Sequence, residues 1–319
     1  MSSGSKDLVG KAAQAYADTK VGFGTFCGLV RFSSSVNKRF FGYFFRSREY
    51  RNHISKVSMG VNINNLRREH IEELIIPLPT LPEQKKIVEK IEELFSGLDS
   101  GVTSLKKAKE QLRIYRQSVL ANAFSGRLTG NMNGETKNGE LPEGWKWVKL
   151  GEVIKVSSGK GLTSEKMLSD GKYAVYGGNG VSGFYNEYLF EEPRLIIGRV
   201  GAKCGVMHIT KPKSWVTDNA LIVDFLSNNV NMKFLYHSLG YHNLNELSVS
   251  TAQPVISGGK IYPYEILLPT LEQQTLIVEK IESRFAGSEA LEKAIDDSLI
   301  KAELLRQSIL KQAFEGKLI

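Results

Sequence analysis

The side chains best suited to chemistry in this sequence are basic residues in a glycine-rich stretch of the second half. Four of them fall within fifteen positions with no acidic residue among them: Arg199, Lys203, Lys211 and Lys213. Cationic side chains at this density suit phosphate oxygens, and an arginine flanked by glycines suits bidentate contact with guanine. A solvated face without a partner is the other interpretation of this pattern.

A second candidate lies just upstream, where residues 178–183 match the pattern G-x-G-x-x-G. A dinucleotide site needs a helix after this pattern, but the residues that follow, 184–188, are aromatic and strand-like. A structural glycine-rich turn and a DNA-facing loop therefore remain as better interpretations. For the DNA-facing interpretation we predict contacts from Lys160, Tyr176, Asn179, Tyr185, Arg199, Lys203, Lys211 and Lys213.

Residues 31–51 of the first half also interleave basic and aromatic side chains. Apolar residues at this density more often fill a core than face a ligand. We expect a core with a basic rim here.

Motifs for catalysis are missing from the sequence. The nine prolines include no Pro-Pro pair for an adenine methyltransferase loop, and no Gly-Lys pair completes a P-loop. The five histidines and two cysteines form no triad or metal-ligand spacing. We therefore predict no catalytic residues, no metal site and no cofactor in this chain.

An internal repeat positions these candidates. Residues 78–81 (LPTL) recur at 268–271, and residues 87–92 (IVEKIE) recur at 277–282, both at an offset of 190. A weaker match at offset 194 relates Val36–Phe41 to Val230–Leu235. A repeat of this kind defines the architecture before any local pattern does.

Each copy of the repeat predicts one long helix. Thr80 with Glu83, and Thr270 with Gln273, have the spacing of a capping box. Forty-five residues would extend roughly 65 Å at 1.5 Å per residue, so we expect the two helices to pair antiparallel. Apolar residues with a period near seven predict a coiled-coil seam of Ile91, Leu98, Leu105, Leu112, Val119, Ile281, Ile295, Ala302 and Ile309.

The remaining segments predict short strands around 195–200, 206–209 and 220–223, and a short helix at 231–239. The sequence thus indicates an α+β fold: two globular modules separated by two long antiparallel coiled-coil helices, in a pseudo-twofold internal repeat. The expected domains are a first module (1–79), a central helix (80–126), a linker (127–140), a second module (141–269) and a C-terminal helix (270–319).

Composition limits the class of protein. The net charge is +8, and the excess is concentrated in residues 1–77, with 12 basic and 6 acidic side chains, and 141–213, with 11 and 7. Two basic regions on one chain are compatible with two modules that bind nucleic acid. Two distant cysteines, no leader-like start and no long apolar run predict a cytoplasmic protein without a membrane span.

The proline-led repeat LPTLPEQ at 78–84, the opening LPEGW at 141–145, and the segments YGGNG at 176–180 and TDNA at 217–220 carry a resemblance. With them, the chain resembles the specificity subunits of type I restriction–modification systems over essentially its whole length. The resemblance implies a non-catalytic subunit in which each of two target-recognition domains reads half of a split double-stranded DNA target. The first domain has no counterpart of residues 141–194 and is expected to be truncated.

The resemblance also implies partners. Two methyltransferase subunits that carry S-adenosylmethionine would dock on the long helices, and a restriction and motor subunit would join them. Repeated residues at the helix ends are the expected exposed docking contacts, with capping and solvation as their alternative: Glu83, Gln84, Arg116, Gln117, Gln273, Gln274, Arg306 and Gln307. Homodimerisation of the truncated chain is a further hypothesis. A coiled-coil scaffold without a DNA role is the alternative function, and an NAD-dependent enzyme is a third candidate that rests on the glycine pattern alone.

Overall fold

The computed structural model describes residues 2–3, 8–15, 22–58, 64–125, 141, 143–201, 203–248 and 254–319. The chain divides into two compact units. Unit 1 comprises Met1–Glu110 with Glu292–Ile319, and unit 2 comprises Gln111–Leu291. The predicted linker and Gly126, the expected end of the first long helix, lie outside the described residues.

Unit 1 is mainly helical, and unit 2 also contains helices. In chain order they are α1 (Lys38–Phe44), α2 (Arg48–Val57), α3 (Glu69–Glu72), α4 (Leu81–Phe124), α5 (Leu150–Val153), α6 (Met232–Tyr241), α7 (Gly258–Ile261) and α8 (Leu271–Phe314). Short 3₁₀ turns lie at Ser164–Lys166 and Leu244–Leu247. The predicted short helix is confirmed as α6.

Strands are concentrated in unit 2. They are β1 (Ser2–Ser3), β2 (Asn64–Asn65), β3 (Lys146–Lys149), β4 (Ile154–Ser158), β5 (Tyr173–Gly177), β6 (Gly180–Tyr185), β7 (Leu195–Gly198), β8 (Met207–Ile209), β9 (Trp215–Val216), β10 (Ala220–Phe225) and β11 (Glu265–Leu268). They form the sheets β4-β10-β7-β8, β6-β5-β9, β11-β3 and β1-β2. The predicted strands are confirmed as β7, β8 and β10.

The long helices α4 and α8 have 44 residues each and begin as their capping boxes predict. The Thr80 N–H donates to Glu83 Oε2 at 2.8 Å, and the Thr270 N–H donates to Gln273 Oε1 at 3.2 Å. At the end of α8, Gly316 has φ +70°, which a residue with a Cβ adopts only under strain.

Within unit 1 the two long helices run antiparallel. Lys109 Nζ contacts Asp296 Oδ1 at 2.7 Å, and Arg306 pairs with Asp99. Residue numbers therefore fall along α4 as they rise along α8, which defines an antiparallel pair. None of the predicted seam positions is exposed. Ile91, Val119, Ile281, Ile295 and Ile309 are buried, and the others, Leu98, Leu105, Leu112 and Ala302, are half-buried. The α+β class and the long antiparallel helices are therefore confirmed.

The core of unit 1 is aromatic. Phe40 and Phe44 of α1 are 1% exposed and pack edge-on against Phe314, with ring centroids 5.1 and 5.2 Å away. The expectation that the aromatic residues of this segment fill a core is confirmed for these two residues and for Tyr43.

The core of unit 2 forms between the four-stranded sheet, α6 and segments of α4 and α8. Leu195 and Ile197 of β7 pack with Phe234 of α6 and Ile281 of α8 in one buried cluster. Because β7 is buried on both faces, all four of its residues are apolar or glycine. This core holds β4, β7 and β10, and a second buried cluster joins Tyr176 of β5 to Ile196 and Ile222 of the same sheet. The candidate site is built from the ends of these four strands.

Candidate nucleic-acid interface

Four turns of unit 2 meet at one edge of its sheets. They comprise residues 158–161, 177–180, 198–201 with 203–205, and 217–220, and we call this set the glycine edge. Backbone hydrogen bonds join neighbouring turns: Gly159 N donates to Ala220 O at 3.2 Å, and Arg199 N donates to Asn219 O at 2.9 Å. The turns are thus held by backbone contacts, which leaves their side chains available for other partners.

Glycine is required where the turns pack most closely. A Cβ on Gly178 would lie 2.7 Å from Asn219 O, and a Cβ on Gly159 would collide with Thr217 O. The pattern G-x-G-x-x-G therefore belongs to the β5–β6 hairpin, which is followed by strand and not by helix. The dinucleotide interpretation is wrong, and the hairpin agrees with both a structural turn and a DNA-facing loop.

The glycine edge presents mainly cationic and amide side chains. Lys160, Asn179 and Lys203 are exposed. Arg199 is half-buried and its Nη1 donates to Ser158 Oγ at 3.3 Å, which orients the guanidinium while leaving other donors free for a ligand. The edge can therefore offer point charges to phosphates and directional donors to base edges.

Of the aromatic residues predicted for the site, Tyr185 supports it from beneath, together with Trp215, which was not predicted. Trp215 Nε1 donates to Lys160 O at 2.9 Å, and Lys160 Nζ lies 5.5 Å from the centre of the Trp215 ring. Tyr185 is half-buried against the same tryptophan, with ring centroids 5.5 Å apart. Tyr185 thus contributes to the floor under Lys160.

Tyr176 does not face a ligand, which corrects the prediction. It is 5% exposed and packs in a buried cluster with Ile196 and Val216. Its hydroxyl accepts a hydrogen bond from Lys211 N at 3.1 Å. This end of β5 is buried on both faces, because the adjacent residues Val175 and Tyr176 point to opposite faces and both are buried, and spacing in the sequence did not reveal this.

The predicted basic surface is also divided in two. In the antiparallel β7–β8 pair, Leu195 lies opposite Ile209, so residues that follow Ile209 are at the other end of the strands from Gly198. Lys211 and Lys213 therefore lie away from Arg199 and Lys203, and the expectation of one continuous face is wrong. Lys213 is further engaged by Glu191 at 3.2 Å, and this pairing raises the pKa of the lysine.

His208 is a residue of this region that the sequence did not indicate. Its ring lies against Gly180, and its buried Nε2 has no hydrogen-bond partner in the part of the chain that the structure describes. Burial, and secondarily the Lys203 ammonium, hold the pKa of His208 below its usual value. A neutral imidazole adds no charge to the edge at pH 7.

The residues predicted for partner docking at the helix ends fall into two groups. Glu83 and Gln117 are exposed, whereas Arg116, Gln273, Arg306 and Gln307 are half-buried. Gln84 and Gln274 are 1% and 0% exposed, so the expectation that they face a partner is wrong. Both lie in the first turn of a long helix, and their side chains hydrogen-bond nearby backbone groups. The sequence repeat is the same for a buried and for an exposed glutamine, so it could not distinguish this structural role from a surface role.

The two arginines of this set make intramolecular contacts in their own units. In unit 1, Arg306 lies 4.5 Å from the centre of the Phe95 ring and pairs with Asp99. In unit 2, Arg116 lies 5.9 Å from the centre of the Phe285 ring, and its Nε donates to Ser288 Oγ at 2.9 Å. These contacts stabilise the helix pairing, a role that differs both from the predicted docking and from its alternative, capping and solvation.

Exposed apolar pairs on the long helices are stronger candidates for docking. Ile114 and Tyr115 on α4 are 56% and 42% exposed, and Leu304 and Leu305 on α8 are 57% and 52% exposed. The offset of 190 residues relates the two pairs. The same offset identified the repeat. The sequence therefore showed that the two pairs are equivalent, but only the structure showed that they are exposed.

None of the helices described is long and apolar enough to cross a membrane. Over the same residues there is no cluster of three or more metal-ligating side chains.

Comparison with known proteins decides the family. A family model for the type I restriction modification DNA specificity domain matches residues 9–110 and 142–300. The chain belongs to this family. The StySPI specificity subunit of Salmonella potsdam is 32% identical over all of this chain and 73% of its own length. The EcoKI specificity subunit of Escherichia coli K12 is 30% identical over all of this chain and 74% of its own length.

Solved structures from type I restriction–modification systems share the fold. A chain from a structural study of complex assembly and conformational transition in the type I restriction–modification system aligns with a TM-score of 0.70, 22% identity, and coverage of 89% of this chain and 72% of the other. The crystal structure of the S subunit from Mycoplasma genitalium aligns with a TM-score of 0.51 at 22% identity, covering 88% and 73%. The predicted family and DNA-specificity function are confirmed, and the non-catalytic role agrees with the names of the relatives.

Proposed function

We propose that this chain reads a bipartite double-stranded DNA target for a type I restriction–modification enzyme, and that the glycine edge of unit 2 reads one part of it. The convergence of Lys160, Arg199 and Lys203 on adjacent turns carries this proposal. Lysines without a fixed geometry suit phosphates, and the oriented guanidinium of Arg199 suits the O6 and N7 atoms of guanine.

The other part of the target is assigned to unit 1. Its residues 1–77 carry the largest positive excess of the chain, and α1 with its Asn37 cap is the counterpart of α6 with its Asn231 cap. Two related modules on one chain match a target with two separate half-sites. The long helices would then set the spacing between the half-sites.

Two methyltransferase subunits are the proposed partners of the long helices. The apolar pairs Ile114–Tyr115 and Leu304–Leu305 are equivalent in the repeat, and two equivalent surfaces suit two copies of one partner. Contiguous exposed apolar surface rimmed by polar residues is typical of interaction sites. S-adenosylmethionine would be bound by those subunits, and a restriction and motor subunit would join the assembly.

DNA binding across a salt series tests the glycine edge. A variant that combines Lys160→Ala, Arg199→Ala and Lys203→Ala should lose affinity for duplex DNA, and its plot of log affinity against log salt should flatten by about one unit for each phosphate contact removed. The control combines Lys146→Ala and Lys149→Ala, two exposed lysines of unit 2 on β3, outside the edge. Equal affinity and salt dependence in the two variants would contradict the proposed interface.

A further inference from the structure

Asp218 is the acidic residue of the otherwise basic glycine edge. It lies in the turn 217–220, beside Gly161, where a Cβ would be 3.7 Å from Asp218 Oδ2. The side chain is exposed, and its carboxylate has no hydrogen bond or ion pair with the residues that the structure describes. In particular, Arg199 on the neighbouring turn donates to Ser158 instead.

Folding of the turn does not use this carboxylate. The turn is closed by Ala220 N donating to Thr217 O at 3.1 Å, and it is joined to the next turn through Asn219 O. Both contacts come from backbone atoms. The charge of Asp218 is therefore not needed to shape the edge.

An exposed carboxylate among phosphate-binding cations is unfavourable wherever it faces a phosphate, because like charges repel. It becomes favourable only against a hydrogen-bond donor. In the major groove the donors are the exocyclic amines of cytosine and adenine. On adenine the N7 acceptor lies beside the amine and would repel a carboxylate, whereas cytosine itself carries only the amine donor at its major-groove edge.

From these observations we propose that Asp218 is a specificity-determining residue that accepts a hydrogen bond from the exocyclic amine of a cytosine. The inference rests on the proposed DNA-reading role of the glycine edge. Asp218 and Arg199 would form a complementary pair on adjacent turns, one an obligate acceptor and the other an obligate donor. Together they would read cytosine and guanine at one or two positions of the half-site.

Selection from random DNA tests this assignment. The full chain is incubated with a library of duplexes that carry a randomised 30-base-pair segment, and retained duplexes are sequenced for the wild type and each variant. Asp218→Ala should reduce discrimination for cytosine at one position by roughly 5- to 150-fold, the range of one good base contact. Asp218→Asn keeps the turn-forming character of the residue but should shift the preference at that position toward adenine, which an amide contacts with both a donor and an acceptor.

A matched control separates the base contact from a general effect of charge. Asp170→Ala removes another exposed acidic residue of unit 2, outside the glycine edge, and should leave the selected sequence unchanged. If the wild type selects a sequence and both Asp218 variants select the same one, the inference is overturned while the proposed function stands. If the wild type selects no sequence at all, both are overturned.

Discussion

The side-chain oxygen of Gln274 accepts a hydrogen bond from the backbone N–H of Asn231 at 2.8 Å. The same side chain donates from Nε2 to Pro269 O at 2.8 Å and to Asn229 O at 3.0 Å. One buried amide thus links the start of α8 to the cap of α6. Gln84 makes the equivalent contact with Asn37 in unit 1, also at 2.8 Å.

Replacement of this amide should be costly. Gln274→Ala leaves the Asn231 N–H and two carbonyl groups without their partner, and we expect a loss of about 1–3 kcal/mol for each buried group that stays unsatisfied. Chemical denaturation followed by circular dichroism measures the loss. Gln117→Ala, at an exposed glutamine, serves as the control and should change stability by less than about 0.5 kcal/mol. Similar values for the two variants would contradict the structural role of Gln274.

The stability of the protein should fall in mild acid because of His237. Burial lowers the pKa of His237 to about 4 from its ordinary value of 6.5, with the Glu282 carboxylate opposing and the Lys233 ammonium adding to the shift. The unfolded chain binds a proton as the pH falls below 6.5, whereas the folded chain does not until about 4. The free energy of unfolding therefore falls by roughly 3 kcal/mol between pH 6.5 and pH 4, and it should change no further below pH 4 because of this group.

His237→Tyr tests this pH dependence. Tyr43, the counterpart of His237 at offset 194, packs edge-on against Phe95 with centroids 5.7 Å apart, as His237 packs against Phe285 at 5.8 Å. The tyrosine therefore has a precedent in the same fold. Unfolding free energies measured from pH 7.5 to 4 should depend less on pH in the variant. An unchanged slope would show that other groups cause the acid sensitivity.

The apolar pairs on the long helices should each bind one methyltransferase subunit. Replacing Leu304 and Leu305 by Asp should reduce the number of bound copies from two to one, and replacing Ile114 and Tyr115 by Asp as well should abolish binding. Native mass spectrometry of complexes purified from co-expression measures this stoichiometry. Ser283→Asp, an exposed position of α8, controls for added charge and should retain both copies. Retention of both copies by the fourfold variant would exclude these surfaces.

The helices were predictable because their information is local. Thr80 and Thr270 begin capping boxes, Gly316 adopts the left-handed conformation expected after a helix end, and the seam follows a period near seven. Each of these features depends on residues within one or two turns of each other. The repeat added the second copy and with it the resemblance to the specificity family.

The site was predictable only in part because it is built from residues that are distant in the chain. Three turns of one edge hold Lys160, Asn179, Arg199 and Lys203. No local sequence pattern shows that Arg199 belongs to this edge and Lys211 does not. The antiparallel β7–β8 pair places Lys211 at the other end of the strands. Tyr176 and Gln274 have polar side chains and lie in motifs that we expected to face a partner, yet both residues are buried.

The sequence by itself determined that this chain has two related modules, two long helices and an excess of positive charge in each module, because periodicity, repeat and charge do not depend on tertiary contacts. Only the tertiary structure decided which polar side chains face outward. Backbone packing at Gly159 and Gly178 brings four separate turns together, and that packing places Asp218 beside Lys160 and Arg199 at one edge.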